Sequence, residues 1–259
     1  MVNENADNEE TTGQRASALA AAEKAAAKAF VDQMLAVTVP LIADVHNFPT
    51  CARGSGVLLQ RGRDYLLLTA GHLFKPGRLW SLETPIKAKD GCLHVGLHDL
   101  QLFAQIDLAD GSSEPIDIAT AWIRVDDLRA ACQHQQVIST DSELCVYDGP
   151  LDVPADADEI YGFASYSRAA FDPRDRALLR ESAYELGMRL RSRDPSSGLL
   201  IFDLAREHMG DAYYEGASGS PIADSTGRIV GLLLGAGGEP NTLRALEPAR
   251  FGSILDLAV

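Results

Sequence analysis

The chain is short of positive charge: 23 lysines and arginines stand against 37 aspartates and glutamates, a formal net charge of −14 over 259 residues. Nucleic acids and anionic membranes reward a basic surface, so neither is expected as a ligand. A protein or peptide is the expected partner. Cysteine is scarce as well. Cys51, Cys92, Cys132 and Cys145 include no Cys-x-x-Cys pair, which removes zinc ribbons and dithiol redox motifs. Buried free thiols are expected. No apolar run reaches the roughly 20 uncharged residues that span a bilayer. The alanine-rich stretch after Ser17 is interrupted by Glu23, Lys24 and Lys28. The first residues, Met1 to Asp7, are acidic where a secretory signal is positive, and no apolar core follows. A cytoplasmic protein without a membrane segment is expected. His94 and His98 would share a face on a helix, but on a strand they stand roughly 13 Å apart. Neither a metal nor an organic cofactor is expected.

What the chain does have is apolar residues, at 46%, enough for a substantial core. Residues 1–15 are polar and acidic and are expected to be disordered. Residues 16–36 place Leu19, Ala22, Ala26, Phe30 and Met34 at helical spacing, with Ser17 as a candidate cap. After Pro40 the pattern turns to short runs of Val, Leu and Ile broken by turn residues, which predicts an all-β barrel or sandwich. Residues 168–193 break that pattern. They carry seven arginines against four acids, and Leu178, Leu179, Ala183, Leu186 and Leu190 are spaced as on a helix. An inserted Arg-rich helix is predicted there, either a solvated face or a docking surface for a regulatory protein. A short closing helix is predicted over 245–257.

Three segments carry chemistry. Gly216-Ala217-Ser218-Gly219-Ser220-Pro221 sets a serine in a small-residue turn. A serine hydroxyl is a weak nucleophile unless a base takes its proton and N–H groups receive the oxyanion. Flanking glycines let the backbone aim the amides of Gly216 and Ser218 inward, although such a turn can also be a plain loop. Tyr65–Thr69 reads as a buried strand leading through Ala70-Gly71 to His72, where a rigid strand end suits a base. Asp117 lies in the apolar run Ile116-Asp117-Ile118-Ala119, and a buried carboxylate there needs a partner such as an imidazole.

Thr69-Ala70-Gly71-His72, then Asp117-Ile118-Ala119, then Gly216 to Pro221, in that order, resemble the chymotrypsin/trypsin-like serine peptidase superfamily. The resemblance implies two six-stranded antiparallel β-barrels with the site in the cleft between them. The first would cover 37–130 and the second 131–259, with the Arg-rich helical insertion in the second. It implies His72 as general base, Asp117 as its orienting acid, Ser218 as nucleophile, and the Gly216 and Ser218 amides as oxyanion donors. The expected activity is endopeptidase hydrolysis of protein substrates through an acyl-enzyme. A catalytically silent module that binds a partner protein is the alternative, and an α/β-hydrolase is disfavoured by the His, Asp, Ser order.

Departures refine the resemblance. Leu73 stands where secreted trypsins place a half-cystine, and Ala217 where they have the aspartate that pairs with a new N-terminus. Ser220-Pro221 is similar to bacterial glutamyl endopeptidases and HtrA-like enzymes, and no PDZ domain is expected. Asp211, Ala212, Tyr213 and Tyr214 are expected to wall the primary specificity pocket. Leu234 is expected where glutamyl enzymes carry a histidine, which argues against acidic specificity.

Overall fold

The computed structural model describes residues 4–44, 52–89, 91–107, 113–139, 144, 146–172 and 177–252. Helix α1 spans Glu4–Val37, so its first turns take in the acidic segment expected to be unstructured. Its C-terminal turns are pinned by packing: Met34 is fully buried with Ala164 and Ala223, while Leu19 is 63% exposed. Thr38 closes the junction, its hydroxyl donating to the carbonyls of Met34 and Ala164.

The first sheet holds β1 (Thr38–Ala43), β2 (Arg53–Arg61), β3 (Asp64–Ala70), β4 (Trp80–Ala88), β5 (Gly91–Gly96), β6 (His98–Asp107), β7 (Ser113–Ile123) and β8 (Val137–Ser139). They run in the order β5-β4-β1-β2-β3-β7-β6, with β8 paired to β4. The expected closed six-stranded barrel is therefore an eight-stranded half-barrel, open between β5 and β6 among the described residues. Helix α2 (Val125–His134), which the sequence pattern did not reveal, joins β7 to β8. Its first turn carries Asp126 and Asp127, favourable beside the positive end of the helix dipole.

The second sheet closes fully. It contains β9 (Tyr161–Asp172), β10 (Ala177–Asp194), β11 (Leu199–Asp203), β12 (Pro221–Asp224), β13 (Ile229–Ala236) and β14 (Thr242–Leu246), in barrel order β10-β11-β14-β13-β12-β9. Phe163, Met188, Leu200, Phe202, Ile222, Val230 and Leu233 fill it. Each contributes about 1.5–3 kcal/mol on burial.

Two expectations are corrected here. The predicted Arg-rich helix is the long hairpin β9–β10, paired from Ala177↔Asp172 to Met188↔Tyr161. Three of its arginines serve the barrel itself. Arg189 donates to the Asp158 carbonyl, Arg191 pairs with Asp203 and Glu239, and Arg193 pairs with the buried Glu247. The predicted closing helix is strand β14 through Leu246, then a 3-10 turn over Pro248–Phe251, and its remainder lies outside the described residues.

The halves meet through a shared core, and this explains the unbroken Leu66-Leu67-Leu68 run. Leu67, with Leu58, Ala119 and Ala121, faces the interior of the half-barrel. Leu66 and Leu68, with Val57, Leu59 and Ile118, face Ile229, Leu232, Leu234 and Leu246 of the second barrel. A strand apolar on both faces is buried on both.

Candidate active site

Strand register puts a base beside an acid. Ala70 at the end of β3 pairs with Ile118 of β7. The chain leaving β3 through the 3-10 turn Gly71–Leu73 therefore passes directly over Asp117. A Cβ on Gly71 would come within 3.0 Å of both Asp117 Oδ1 and the Ile118 carbonyl, so the absence of a side chain permits the approach. His72 is seated on Asp117 at two points. Its Nδ1 lies 2.7 Å from Oδ2, and its backbone N–H donates to Oδ1 at 2.6 Å. The ring orientation and the tautomer are both set by this contact, with the proton on Nδ1 and Nε2 free to accept. Burial acts to raise the Asp117 carboxyl. The hydrogen bonds and charge of His72 outweigh it, with a smaller contribution from Arg244, and hold it below the usual carboxylate range.

Ser218 comes from the other half, in the loop ahead of β12. Consecutive turns shape it: Ala217 N–H donates to Tyr214, Ser220 N–H to Ala217 and Gly219 N–H to Leu233 of β13. Gly216 has φ +84° and Gly219 φ +86°, a left-handed backbone that favours glycine. Ser55 of β2 fastens this loop to the half-barrel. Its N–H donates to the Ser218 carbonyl at 2.8 Å and its hydroxyl to the Gly216 carbonyl at 2.8 Å. Thr69, three residues before His72, donates its hydroxyl to the Ser55 carbonyl at 2.5 Å. The Ser218 loop and the strand that leads to His72 thus share one hydrogen-bonded partner.

Among the described residues the Gly216 and Ser218 amides have no hydrogen-bond acceptor, whereas those of Ala217, Gly219 and Ser220 all do. Two unclaimed N–H groups flanking a serine are what a developing oxyanion requires. The Ser218 hydroxyl itself donates a long bond, 3.5 Å, to the Leu234 carbonyl, and forms none with His72. Such contacts are often loose before substrate binds.

Beside Ser218 opens a cavity of about 160 Å³ lined by His208, Asp211, Tyr214, Ala217, Ser218, Leu233, Gly235, Ala236 and Leu243. Of the residues expected in the pocket, Asp211 and Tyr214 line it, while Ala212, Tyr213 and Leu234 do not. The Leu234 expectation fails by one residue. Along β13, Leu232 and Leu234 face the core between the halves while Leu233 faces the barrel interior, and a shift of one position changes the face. Tyr213 is turned away, and its hydroxyl meets Tyr184 and Arg206. His208 had no partner pattern in the sequence. It is placed by its ring packed at a tilt against Tyr214, 4.5 Å between centroids, and by its Nδ1 accepting from Gly210. A larger cavity, about 380 Å³, lies between Arg61, Tyr147 and Asp152 and contains none of these residues. Size does not single out the candidate site here; the neighbouring Ser218 does.

No protein-family model matches the chain, and no curated protein does. Solved structures do. The Rv3671c protease of M. tuberculosis in its active form aligns at TM-score 0.52 with 13% identity, covering 88% of this chain and 82% of its own. A serine endoprotease of Yersinia pestis aligns at TM-score 0.51 and 12% identity, covering 88% of this chain and 64% of its own. Mouse neuropsin, a serine protease, aligns at 0.54 and 11%, covering 87% and 95%. The fold is thus that of the chymotrypsin-like serine proteases, one closed barrel and one half-barrel.

Proposed function

We propose that this chain is a serine endopeptidase acting on protein substrates, with Ser218, His72 and Asp117 as its catalytic residues. The observation that carries the proposal is the two-point seating of His72 on Asp117 at the edge where Ser55 docks the Ser218 loop. Ser218 Oγ adds to the scissile carbonyl as its proton passes to His72 Nε2. The Gly216 and Ser218 N–H groups take up the oxyanion. Collapse returns that proton to the leaving amine and leaves an ester on Ser218, and water activated by the same imidazole then releases the acid. No step needs a metal or an organic cofactor. In the cavity beside Ser218, the Asp211 carboxylate disfavours an acidic side chain and the apolar walls suit an aliphatic, aromatic or long basic one.

Leu73 beside His72 and the half-buried free thiol of Cys132 support a reducing, intracellular setting. A latent enzyme or silent binding module is the second reading. The Ser218 hydroxyl turned to the Leu234 carbonyl favours it.

A fluorophosphonate probe and a peptide library together test the proposal. Wild type is expected to be labelled and to cleave, with both lost in Ser218→Ala. A folded wild type that does neither sinks the endopeptidase reading in favour of the silent module.

A further inference from the structure

Behind the cavity wall lies a polar cluster that the triad chemistry does not use. Glu185 is a carboxylate on β10 with 1% of its side chain exposed, opposite Phe163 of the barrel core. Arg206, from the loop that follows β11, grips it at two points, Nε to Oε2 at 2.9 Å and Nη2 to Oε1 at 2.9 Å. The Tyr214 hydroxyl donates to the same carboxylate at 2.7 Å. Burial and the Glu185 charge together push the Tyr214 phenol well above its usual range, so it stays a donor. The guanidinium is itself fixed from outside by the Tyr184 carbonyl and lies 5.6 Å from the ring centroids of both Tyr184 and Tyr213.

Tyr214 is the largest side chain lining the cavity beside Ser218. Its ring is held at the hydroxyl end by Glu185 and on its sides by His208 and Tyr213, with centroids 4.5 and 5.0 Å away. Its backbone carbonyl also accepts the N–H of Ala217, next to the nucleophile. One residue therefore carries both a pocket wall and a turn of the nucleophile loop. Burying a carboxylate is costly, and an apolar side chain of similar volume would serve barrel stability as well. The geometry points to a different use. We infer that Glu185 and Arg206 form a positioning brace which fixes Tyr214 and thereby sets which side chain the enzyme accepts next to the scissile bond.

The inference rests on the endopeptidase reading and is tested in the intact chain with peptides that differ only in that side chain: Leu, Phe, Lys and Ala. The quantity read is kcat/KM for the best large side chain divided by kcat/KM for Ala, which leaves the cavity nearly empty. Glu185→Gln is expected to lower this ratio about three- to tenfold, chiefly through KM, with hydrolysis of the Ala peptide little changed. Arg206→Lys keeps the charge without the two-point grip and is expected to fall between. In a Tyr214→Phe background, Glu185→Gln is expected to change the ratio no further, because the hydroxyl through which it acts is gone. A uniform loss across the four peptides, or additive effects in the double variant, overturns the brace while leaving the endopeptidase reading standing. A wild type that cleaves none of the peptides and resists the fluorophosphonate removes that reading, and the brace with it.

Discussion

His72 and Asp117 act as a unit, because the carboxylate receives both the ring and the backbone N–H of the histidine. Asp117→Asn keeps the size but can present an amide N–H₂ to Nδ1, which favours the wrong tautomer. Activity at neutral pH is expected to fall by about three to four orders of magnitude, measured as kcat/KM on a peptide substrate. The carboxyl is held below its usual range, so its stabilising contribution is complete above the unfolded-state value near pH 4. It is lost as pH falls through the lower folded value. The stability difference between wild type and Asp117→Asn in urea titrations should therefore shrink as the pH falls below about 4. These residues were legible in the sequence because each stands out locally: an acid among isoleucines, a histidine at the end of a leucine strand, a serine between glycines. Leu233 was not. Its role depends on which face of β13 it takes, and two adjacent leucines carry no mark of that.

Elements were legible where alternation was clean and hidden where it broke. In β10, Ala183 and Glu185 face inward, then Gly187 at φ +76° shifts the register and Met188 faces inward. The bulge moves the inward set to Met188 and Leu190, so alternation is broken, and the buried Glu185 occupies a place where an apolar residue would have announced a strand. Ala, Leu, Glu, Met and Arg also favour helices, so local preference supported the wrong element and tertiary pairing overrode it. Helix α1 shows the converse, since its composition alone specifies a helix. Among the side chains described, those of its last turns are bound to the barrel, through Met34, which is fully buried, and Phe30. Met34→Ala is expected to cost about 2–4 kcal/mol in chemical denaturation. Leu19→Ala, on the exposed part of the helix, should stay within about 0.5 kcal/mol. Equal effects at the two positions would show that the whole helix, and not its end alone, is packed on the fold.

At the scale of the molecule, the proposed reading draws acid and base from the half-barrel and nucleophile, oxyanion donors and pocket from the closed barrel. On that reading, catalysis depends on how firmly the halves are registered against each other. The order of the three motifs pointed to this division, but neither closure of the second sheet nor opening of the first could be read from strands alone, because closure is decided by pairing between distant segments. Apolar contacts between Leu66, Leu68, Leu232 and Leu246 hold the halves together without fixing a direction. Direction comes from Ser55, whose two donated bonds tie the Ser218 and Gly216 carbonyls to β2. Ser55→Ala keeps the backbone bond and removes the hydroxyl, so the Gly216 carbonyl loses its partner and the turn about Gly216, which also carries the Gly216 N–H, is held less firmly. Stability is expected to drop by only about 1–2 kcal/mol. The rate of fluorophosphonate labelling at Ser218 should fall further, about tenfold or more, because a misaimed Gly216 N–H withdraws one oxyanion donor. If labelling fell no more than stability alone accounts for, the hydroxyl would serve the fold and the oxyanion donors would be set by Gly216 and Gly219 themselves. A thermal melt alongside the labelling time course separates the two outcomes, since a loosened oxyanion site slows labelling well below the melting temperature, where nearly every molecule is folded.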